Sequence, residues 1–425
     1  MKPFRFIHAA DLHLDSSFKG ISDIDSNISK ELSEATFNTY NKIVDLCMER
    51  EVDFLLISGD IYNSQDRSLR AQLRFRDGLK RLSNKGIKVY IIHGNHDPLS
   101  GWSSNIEWPE DVHIFGSRSV EKEVFEKDEE PIANIFGISY PKREVTTNLT
   151  KKFKRISKSE REMFNIGMLH CNLGSDTGHE PYSPCTLDDL SELGYDYWAL
   201  GHVHKKSVIN EENPTVIYSG NPQGLNPKEI DERGCYLIDV DEYGDLKYEF
   251  LPTESVRWYI EEISIEGMSI EQDLFSVIDD KIEDIRRISS DVPSICRLIL
   301  TGRGNLYSTL SRKGYLEDLV NEKRSGEEGE RNFVWVESIQ NRTEPEIDRD
   351  ILLEREDFIG GLLNLFEEYY SDKEKIANVV EALNPLYSSP SGRKLLETSD
   401  YDTLISLLKK AEKVCLDRMI REGEM

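Results

Sequence analysis

The sequence predicts an α/β fold built on a layered, mixed β-sheet. Short apolar runs alternate with helical patterns in the first part of the chain, beginning with the run at 4–9 and the helical pattern at 30–49. Later apolar runs lie closer together and are separated by turn residues such as those at 242–245. The alternation predicts a layered α/β sheet, and the closer spacing predicts hairpins that make the sheet mixed.

Eight strands and three helices are predicted before residue 254. The strands fall at 4–9, 53–58, 88–92, 133–138, 165–170, 196–200, 215–219 and 234–240. The helices fall at about 30–49, 66–84 and 186–193. This part of the chain, residues 1–254, is predicted to form the first and largest domain.

The pattern changes after Thr253, and two further regions are predicted. Residues 255–345 read as a small α+β domain, with strands at 256–265, 294–300 and 332–338 and helices at 269–288 and 305–323. Residues 346–425 read as helical only, with a Ser/Pro/Gly break at 384–392 between two helices. The predicted organisation is therefore a large sheet domain, a small capping domain and a C-terminal helical region.

Charge and cysteine content restrict the class of protein. The net charge is −26, so a protein that grips DNA by bulk positive charge is excluded, and any nucleic-acid contact requires a local basic surface, bound cations or a partner. The six cysteines form no CxxC pair, which is typical of reduced thiols in a cytosolic protein. No signal peptide or membrane-spanning run is recognisable, so a soluble, cytoplasmic protein is expected.

Metal-ligand residues cluster just after the predicted strands. Five strands are each followed or ended by oxygen or imidazole side chains, at Asp11 and His13, Asp60, Asn95 to Asp97, His170, and His202 and His204. The carboxyl edge of an open α/β sheet is where binding sites are built, so these side chains are expected to converge. Five such segments in order are difficult to explain by core packing, and they predict a metal site.

The spacing of these residues has a physical reason. Residues two apart in an extended segment point the same way, so Asp11 and His13 can reach one ion, while His202 and His204 can be shared between two. Glycines at 59, 94 and 201 are expected to let the backbone turn sharply. Carboxylate, amide and imidazole donors suit divalent manganese, iron or zinc, and the lack of cysteine argues against a structural zinc site.

These motifs resemble the calcineurin-like metallophosphoesterase superfamily. The segments that carry the resemblance are HAADLHL at 8–14, SGDIY at 58–62, GNHD at 94–97, LH at 169–170, YWALGHVH at 197–204 and YSGNP at 218–222. They are most similar to the DNA repair exonuclease branch, the SbcD-type nucleases and their YhaO-like relatives. The resemblance covers residues 1–250 and implies a two-layered mixed β-sheet sandwich flanked by helices.

The resemblance also implies a role for each residue. Asp11, His13 and His204 would bind one ion, and Asn95, His170 and His202 would bind the other. Asp60 would bridge both ions, which are expected to be Mn²⁺. His96 would lie beside the scissile phosphate, steadied by Asp97.

Three positions depart from the pattern of the branch. Asn63 stands where a second Asp often follows the GD pair, Leu12 stands where Trp is frequent, and Asp15 replaces a glycine. These departures bear on the substrate rather than on the ligand set, and Leu12 and Asp15 favour the YhaO-like relatives.

The function implied is metal-dependent hydrolysis of DNA phosphodiesters, as an exonuclease or endonuclease in break processing or repair. The branch further implies a coiled-coil ATPase partner of the SbcC-type or YhaN-like kind, and a homodimer. Two alternatives stay open: a phosphoesterase for another phosphodiester or phosphomonoester, and a non-catalytic scaffold of the same fold. Retention of all seven ligands argues against the scaffold.

Two surfaces are candidates for contacts with DNA and with a partner. Residues 142–161 carry eight basic and two acidic groups, and Lys151, Lys152, Lys154 and Arg155 are predicted to hold the DNA backbone. A merely solvated surface segment is the alternative. Residues 346–425 are predicted to dock on the ATPase through apolar helix faces, the alternative being that these helices pack on the chain's own capping domain.

Overall fold

The computed structural model places two six-stranded sheets against each other in the first part of the chain. It describes residues 1–18, 26–63, 67–101, 106–174, 181–290, 292–346, 349–372, 375–376, 379 and 401–419. The strands of the two sheets are β1 (Phe4–Ala9), β2 (Phe54–Ser58), β3 (Lys88–Ile92), β4 (Val112–Ile114), β5 (Glu121–Lys127), β6 (Glu130–Gly137), β7 (Phe164–His170), β8 (Tyr197–Gly201), β9 (Ser207–Asn210), β10 (Thr215–Tyr218), β11 (Gly234–Val240) and β12 (Leu246–Pro252).

Both sheets are mixed. The first has the order β12-β11-β1-β2-β3-β4, and the second has the order β5-β6-β7-β8-β10-β9. Strands β1 to β4 are parallel to one another, as are β6, β7, β8 and β10, while β11, β12, β5 and β9 each pair in antiparallel fashion. The predicted two-layered mixed sandwich is confirmed.

Three layers of buried side chains hold the sandwich together. Between the sheets, one face of β1 and β2 meets one face of β6 to β8, and aromatic residues such as Phe6, Phe54 and Tyr197 fill the space. Helices α1 (Ser26–Glu49) and α2 (Leu69–Ser83) cover the outer face of the first sheet. The short helix α3 (Leu187–Ser191) and a 3-10 turn at Leu149–Lys152 cover the outer face of the second. The parallel strands are therefore buried on both faces.

The strands that sequence patterning missed are the four edge strands. All eight predicted strands are interior strands of the two sheets, whereas β4, β12, β5 and β9 lie at the edges. Edge strands are exposed on one side, and β5 reads EKEVFEK with a single fully buried residue, Phe125. A search for apolar runs finds strands that are buried on both faces and misses strands of this kind.

A third sheet of three strands follows in the order β13-β14-β15. Its elements are β13 (Arg257–Ser264), α4 (Glu271–Ile288), β14 (Ser294–Thr301), α5 (Tyr307–Leu310), α6 (Tyr315–Ser325) and β15 (Val334–Asn341). The single helix predicted at 305–323 is wrong, because Gly314 adopts a φ of 86° and separates two shorter helices. Trp258 of β13 packs with Ile28 and Leu32 of α1 in one buried cluster.

The described C-terminal helices pack on one another. They are α7 (Arg349–Leu353), α8 (Phe358–Ser371) and α9 (Tyr401–Met419). Leu352, Ile359, Leu363 and Leu416 form their buried cluster, and Glu412 of α9 accepts hydrogen bonds from Arg349 and from the Tyr370 hydroxyl. The predicted break at 384–392 lies outside the described residues.

The described chain divides into two compact units. The first contains residues 1–261, 279–298 and 317–339, and the second contains residues 262–278, 299–316 and 340–425. The three-domain division inferred from the sequence stays a prediction. Among the helices that the structure describes, none combines the length and apolar character that a membrane crossing requires.

Candidate metal centre

The seven predicted ligands converge at the carboxyl ends of five strands. Asp11 and His13 follow β1, Asp60 follows β2, Asn95 follows β3, His170 ends β7, and His202 and His204 follow β8. These strands are parallel neighbours within the two sheets, so their ends open on the same side. Six of the seven side chains are buried, and His204 is partly exposed. The structure therefore brings the predicted residues together.

Two overlapping groups could each hold one ion. Asp11, His13 and His204 form the first, with one ligand atom from each residue lying within 4.8 Å of the others. In this group the Nε2 atoms of His13 and His204 are only 3.1 Å apart. Asp11, Asp60 and His170 form the second group by the same measure.

Asn95 and His202 adjoin the second group, and Asp60 lies between the two. The Asn95 Oδ1 atom is 2.9 Å from His170 Nε2 and 3.2 Å from His202 Nδ1. Asp60 Oδ2 is 3.3 Å from His170 Nε2 and 4.0 Å from His13 Nε2. The carboxylate of Asp60 thus faces one imidazole from each of the two predicted ligand sets.

The donor atoms fit divalent cations in both chemistry and spacing. Ligand bonds of about 2.1 Å place neighbouring donors roughly 3.0–3.4 Å apart around a single ion. The separations of 2.9 to 3.3 Å between the imidazole nitrogens of His170 and His202 and the oxygens of Asn95 and Asp60 match that spacing. The set contains oxygen and nitrogen donors and no sulfur, which suits manganese, iron or zinc in an open site.

Charges in the cluster favour an added cation. Burial raises the pKa of Asp11 to about 6, although His170 and His204 oppose that rise. Burial disfavours the charged form of His170, but Asp60 and Asp11 outweigh this effect and raise its pKa to about 9. Burial, followed by the charge of His204, lowers the pKa of His13 to about 3. Positive charge is therefore stabilised at His170, beside the carboxylates of Asp60 and Asp11.

Four ligand residues adopt left-handed backbone conformations. The φ angles are 54° at Asp11, 44° at His13, 51° at Asp60 and 98° at His202. Non-glycine residues rarely adopt positive φ, and such strain clusters at functional sites. The backbone is held there partly by Asp11, whose carboxylate accepts a hydrogen bond from the His202 amide at 3.1 Å.

Glycines permit the close approach of the ligands. A Cβ atom at Gly94 would lie 2.3 Å from Asp60 Oδ1, and one at Gly201 would lie 2.0 Å from the Ser58 carbonyl oxygen. Only Gly59 of the three predicted glycines has a positive φ, at 95°. The sharp turn expected from glycine therefore applies to Gly59, whereas Gly94 and Gly201 are needed for space.

His96 lies beside the ligand cluster, and Asp97 holds the turn that carries it. The His96 ring packs edge-on against His13, with centroids 4.9 Å apart, and its Nδ1 atom is 3.0 Å from the Asn63 carbonyl oxygen. The Asp97 carboxylate accepts hydrogen bonds from the amides of Gly94 and Ile61, each at 2.9 Å, and contacts His93 Nδ1 at 3.0 Å. Asp97 thus acts on the His96 backbone turn rather than directly on its ring.

Sequence reasoning missed the outer partners of the histidines. Glu229 Oε1 lies 2.6 Å from His204 Nδ1, and the Ser58 carbonyl oxygen lies 3.0 Å from His170 Nδ1. Glu229 follows His204 by 25 residues in a segment without regular structure, so no motif spacing marks it. Burial disfavours ionisation of Glu229, but His204 outweighs this effect and lowers the pKa of Glu229 to about 2.

The predicted basic segment lies over the second sheet with its charges exposed. Leu149, Phe153 and Ile156 anchor it in the outer core, and Lys151, Lys152, Lys154 and Arg155 are exposed. Lys151 forms an ion pair with Asp189. The Ser183 amide donates to the Val145 carbonyl oxygen at 2.6 Å, which joins the segment to the loop that follows His170.

Comparisons with known proteins agree with this geometry. Residues 4–206 match the calcineurin-like phosphoesterase family, and residues 258–344 match the middle domain of the metallophosphoesterase YhaO. The chain is 37% identical over 418 residues to the uncharacterized metallophosphoesterase YhaO of Bacillus subtilis strain 168, and the alignment covers 98% of each protein.

More distant relatives are similar to a smaller share of the chain. The DNA double-strand break repair protein Mre11 of Thermoplasma acidophilum is 25% identical over 240 residues, which cover 53% of this chain and 61% of that protein. Among solved structures, a dimetal phosphatase from Danio rerio matches with a TM-score of 0.36 and 12% identity, covering 59% of this chain and 98% of the other. Motifs, geometry and the near full-length relative together show that the chain belongs to the calcineurin-like metallophosphoesterase superfamily and, within it, to the YhaO family.

Proposed function

We propose that this protein is a metal-dependent phosphodiesterase that cleaves DNA. The observation that carries the proposal is the convergence of seven oxygen and nitrogen ligands on two adjacent positions, with Asp60 between them and His96 beside them. Asp11, His13 and His204 would hold one ion, and Asn95, His170 and His202 would hold the other. When bound, two divalent ions, proposed to be Mn²⁺, would neutralise phosphate oxygens and lower the pKa of water.

His96 is the proposed proton donor of the protein. Its Nδ1–H donates to the Asn63 carbonyl oxygen, so a second proton on the ring would reside on Nε2. A protonated imidazole can then donate from Nε2 to the leaving oxygen or to a phosphate oxygen. General acid catalysis of this kind contributes about 10²–10⁴-fold to a rate. Asp97 would support this role by fixing the turn around Gly94.

Relatives favour DNA as the substrate. Two relatives that align with 53% and 55% of this chain are named DNA double-strand break repair protein Mre11. A phosphodiesterase or phosphatase acting on a smaller substrate is the second candidate, because two divalent ions can bind the phosphate of an ester of any size and the fold alone does not determine the substrate.

One comparison of substrates tests the proposal. The purified protein with Mn²⁺ is expected to cleave a 3′-labelled oligonucleotide, and its kcat/KM for DNA should exceed that for bis-p-nitrophenyl phosphate. A chelator should abolish both activities. Turnover of the small ester without cleavage of single-stranded, blunt or hairpin DNA would favour the second candidate instead.

The exposed basic residues between 142 and 161 are proposed to contact the DNA backbone. This segment carries a net charge of +6 in a chain of −26, and its apolar anchors leave the charges exposed. The side chains of Lys154 and Arg155 are exposed, and the structure records no ion pair for either within the described residues. They are therefore better placed to bind phosphate than Lys151, which already pairs with Asp189.

Replacing Lys154 and Arg155 with glutamine is expected to weaken DNA binding and flatten its salt dependence. Each lost phosphate contact should reduce the slope of log affinity against log salt by about 0.9 on duplex DNA. Fluorescence anisotropy at several salt concentrations measures that slope. Lys80→Gln with Lys85→Gln, at exposed lysines near the end of α2, is the matched control. An unchanged slope would identify the segment as a solvated surface.

The C-terminal helices are proposed to dock on a coiled-coil ATPase of the SbcC-type or YhaN-like kind. The apolar residues of α8 form two rows: Ile359 and Leu363, in one row, are buried, whereas Phe358 and Leu365, in the other, are 73% and 48% exposed. The buried row supports the alternative that the helices pack within the chain, as does the ion pair between Lys413 and Glu266. The exposed row is the part available to a partner. The expected homodimer stays a prediction.

Phe358→Glu with Leu365→Glu is expected to abolish co-purification with the ATPase while leaving metal content unchanged. A charged side chain is costly to bury in an apolar contact with a partner. In the free protein the same substitutions should have little effect, because positions 358 and 365 already face water. Tyr243→Glu, at a residue that is 82% exposed in the first unit, is the control. Retained binding by the double variant would reject this row as the docking surface.

A further inference from the structure

The turn that carries His96 is held on both sides of that residue. On the amino-terminal side, the His96 amide donates to Asp60 Oδ1 at 2.9 Å. On the carboxyl-terminal side, Arg67 Nη2 donates to the backbone oxygens of Asp97 and Pro98, at 2.7 and 2.9 Å. Arg67 belongs to none of the motifs that mark the metal ligands, so its place beside this turn follows from the structure.

Arg67 also contacts the residue next to the one that holds the ring of His96. The His96 Nδ1 atom lies 3.0 Å from the Asn63 carbonyl oxygen. The ring of the neighbouring Tyr62 faces Arg67, and its centroid lies 5.4 Å from the guanidinium Cζ atom, within the range of a cation–π contact. Arg67 is therefore in contact with the backbone turn of His96 and with the neighbour of its ring acceptor.

Helix α2 fixes the position of Arg67 itself. Arg67 directly precedes Ser68, whose hydroxyl caps the helix by accepting from the Ala71 amide at 3.0 Å. The backbone oxygen of Arg67 accepts a hydrogen bond from the Gln72 side chain at 3.0 Å. Arg67 and Gln72 are 7% and 1% exposed. Because the side chain is buried and its backbone is bound to α2, Arg67 can hold the turn in one place.

We propose that Arg67 is a positioning residue that keeps the His96 ring in the geometry that proton donation requires. The inference rests on the proposed role of His96, and it does not require DNA as the substrate. A catalytic group must be held within about 0.5 Å of its productive position, and a misplacement of about 1 Å can lower a rate about 10²-fold. Arg67→Met keeps much of the side-chain volume and removes the donors. It is therefore expected to lower kcat about 10²-fold while KM and metal content stay unchanged.

The test is a double-mutant cycle with Arg67→Met, His96→Ala and the two together. Rates at saturating Mn²⁺ are measured on whichever of the labelled oligonucleotide and bis-p-nitrophenyl phosphate the protein turns over. Because Arg67 acts through His96, Arg67→Met should cause no further loss of kcat in the His96→Ala background. Equal losses in the two backgrounds would overturn the proposal. A loss in His96→Ala with a native kcat in Arg67→Met would overturn this inference alone, whereas a native kcat in His96→Ala would remove the role of His96 and this inference with it.

A second measurement needs no turnover. In the chelator-treated protein with isotope-labelled histidine, the ring signal of His96 is identified by its absence from the nuclear magnetic resonance spectrum of His96→Ala. Arg67→Met should shift or broaden that signal and leave the signal of His113, on β4, unchanged. An unchanged His96 signal would contradict a positioning role.

Two control variants separate positioning from a general loss of stability. Arg67→Lys keeps a cationic donor and should retain part of the rate that Arg67→Met loses. Leu79→Ala removes a buried side chain of α2 and should lower the thermal midpoint, but it should leave kcat unchanged at temperatures below its unfolding. If Leu79→Ala lost as much kcat as Arg67→Met, destabilisation would explain both results and the proposal would fail.

Discussion

Asp60→Asn is expected to abolish turnover and to weaken binding at both metal positions. The carboxylate lies 3.3 Å from His170 Nε2 and 4.0 Å from His13 Nε2, so one negative charge serves both groups. Removing a single preorganised electrostatic group costs about 10²–10³-fold in kcat, and the loss of a shared ligand should reach at least the upper end of that range. Elemental analysis of the dialysed protein and rates at saturating Mn²⁺ measure the two effects.

The amide variant preserves the shape of the site, which makes the result interpretable. Asparagine can still accept the hydrogen bond that Asp60 Oδ1 receives from the His96 amide at 2.9 Å. Circular dichroism should therefore show an unchanged fold. Full occupancy of one position together with surviving turnover would show that Asp60 does not bridge.

His96→Ala is expected to retain both ions and to lose about 10²–10⁴-fold in kcat. His96 lies outside both ligand groups, is partly exposed and contacts His13 through its ring edge. Its removal takes away a proton donor and leaves the seven ligands in place. Rates on the labelled oligonucleotide and the metal content of the same sample distinguish catalysis from metal binding.

The control for this variant is His113→Ala, at a partly exposed histidine on β4 that lies outside the cluster. It should leave kcat and metal content unchanged. Loss of an ion in His96→Ala would mean that His96 is itself a ligand. A native rate with both ions bound would remove His96 from the proposed mechanism.

The apolar patterns of the sequence predicted the interior strands of the two sheets and missed the edge strands. Interior strands such as β2 and β7 are buried throughout, so their apolar runs are continuous and easily recognised. The edge strand β5 is mostly charged and has only Val124 and Phe125 as apolar residues, so it contains no apolar run that a search of the sequence would find. The break between α5 and α6 was missed because it depends on the conformation of Gly314.

The candidate site also contains two kinds of residue: those that a local motif identifies, and those that reach the site only through long-range contacts. Each metal ligand sits within a short motif at a strand end, so position at the strand ends and the family resemblance together identified the seven residues that the structure brings together. Glu229 reaches His204 from a loop, and the Ser58 carbonyl reaches His170 across 112 residues. Such partners follow from the tertiary fold, and no periodicity in the sequence marks them.

The left-handed backbone conformations of four ligand residues lower the folding stability at the positions that the proposed activity requires. These residues are Asp11, His13, Asp60 and His202. Each such residue costs on the order of 1–3 kcal/mol, within a total folding stability of about 5–15 kcal/mol. Glycine adopts these angles without that cost, so a substitution such as His13→Gly would relieve strain while deleting a ligand. Selection for thermal stability alone would therefore tend to dismantle the site, and only selection for function keeps these side chains in place.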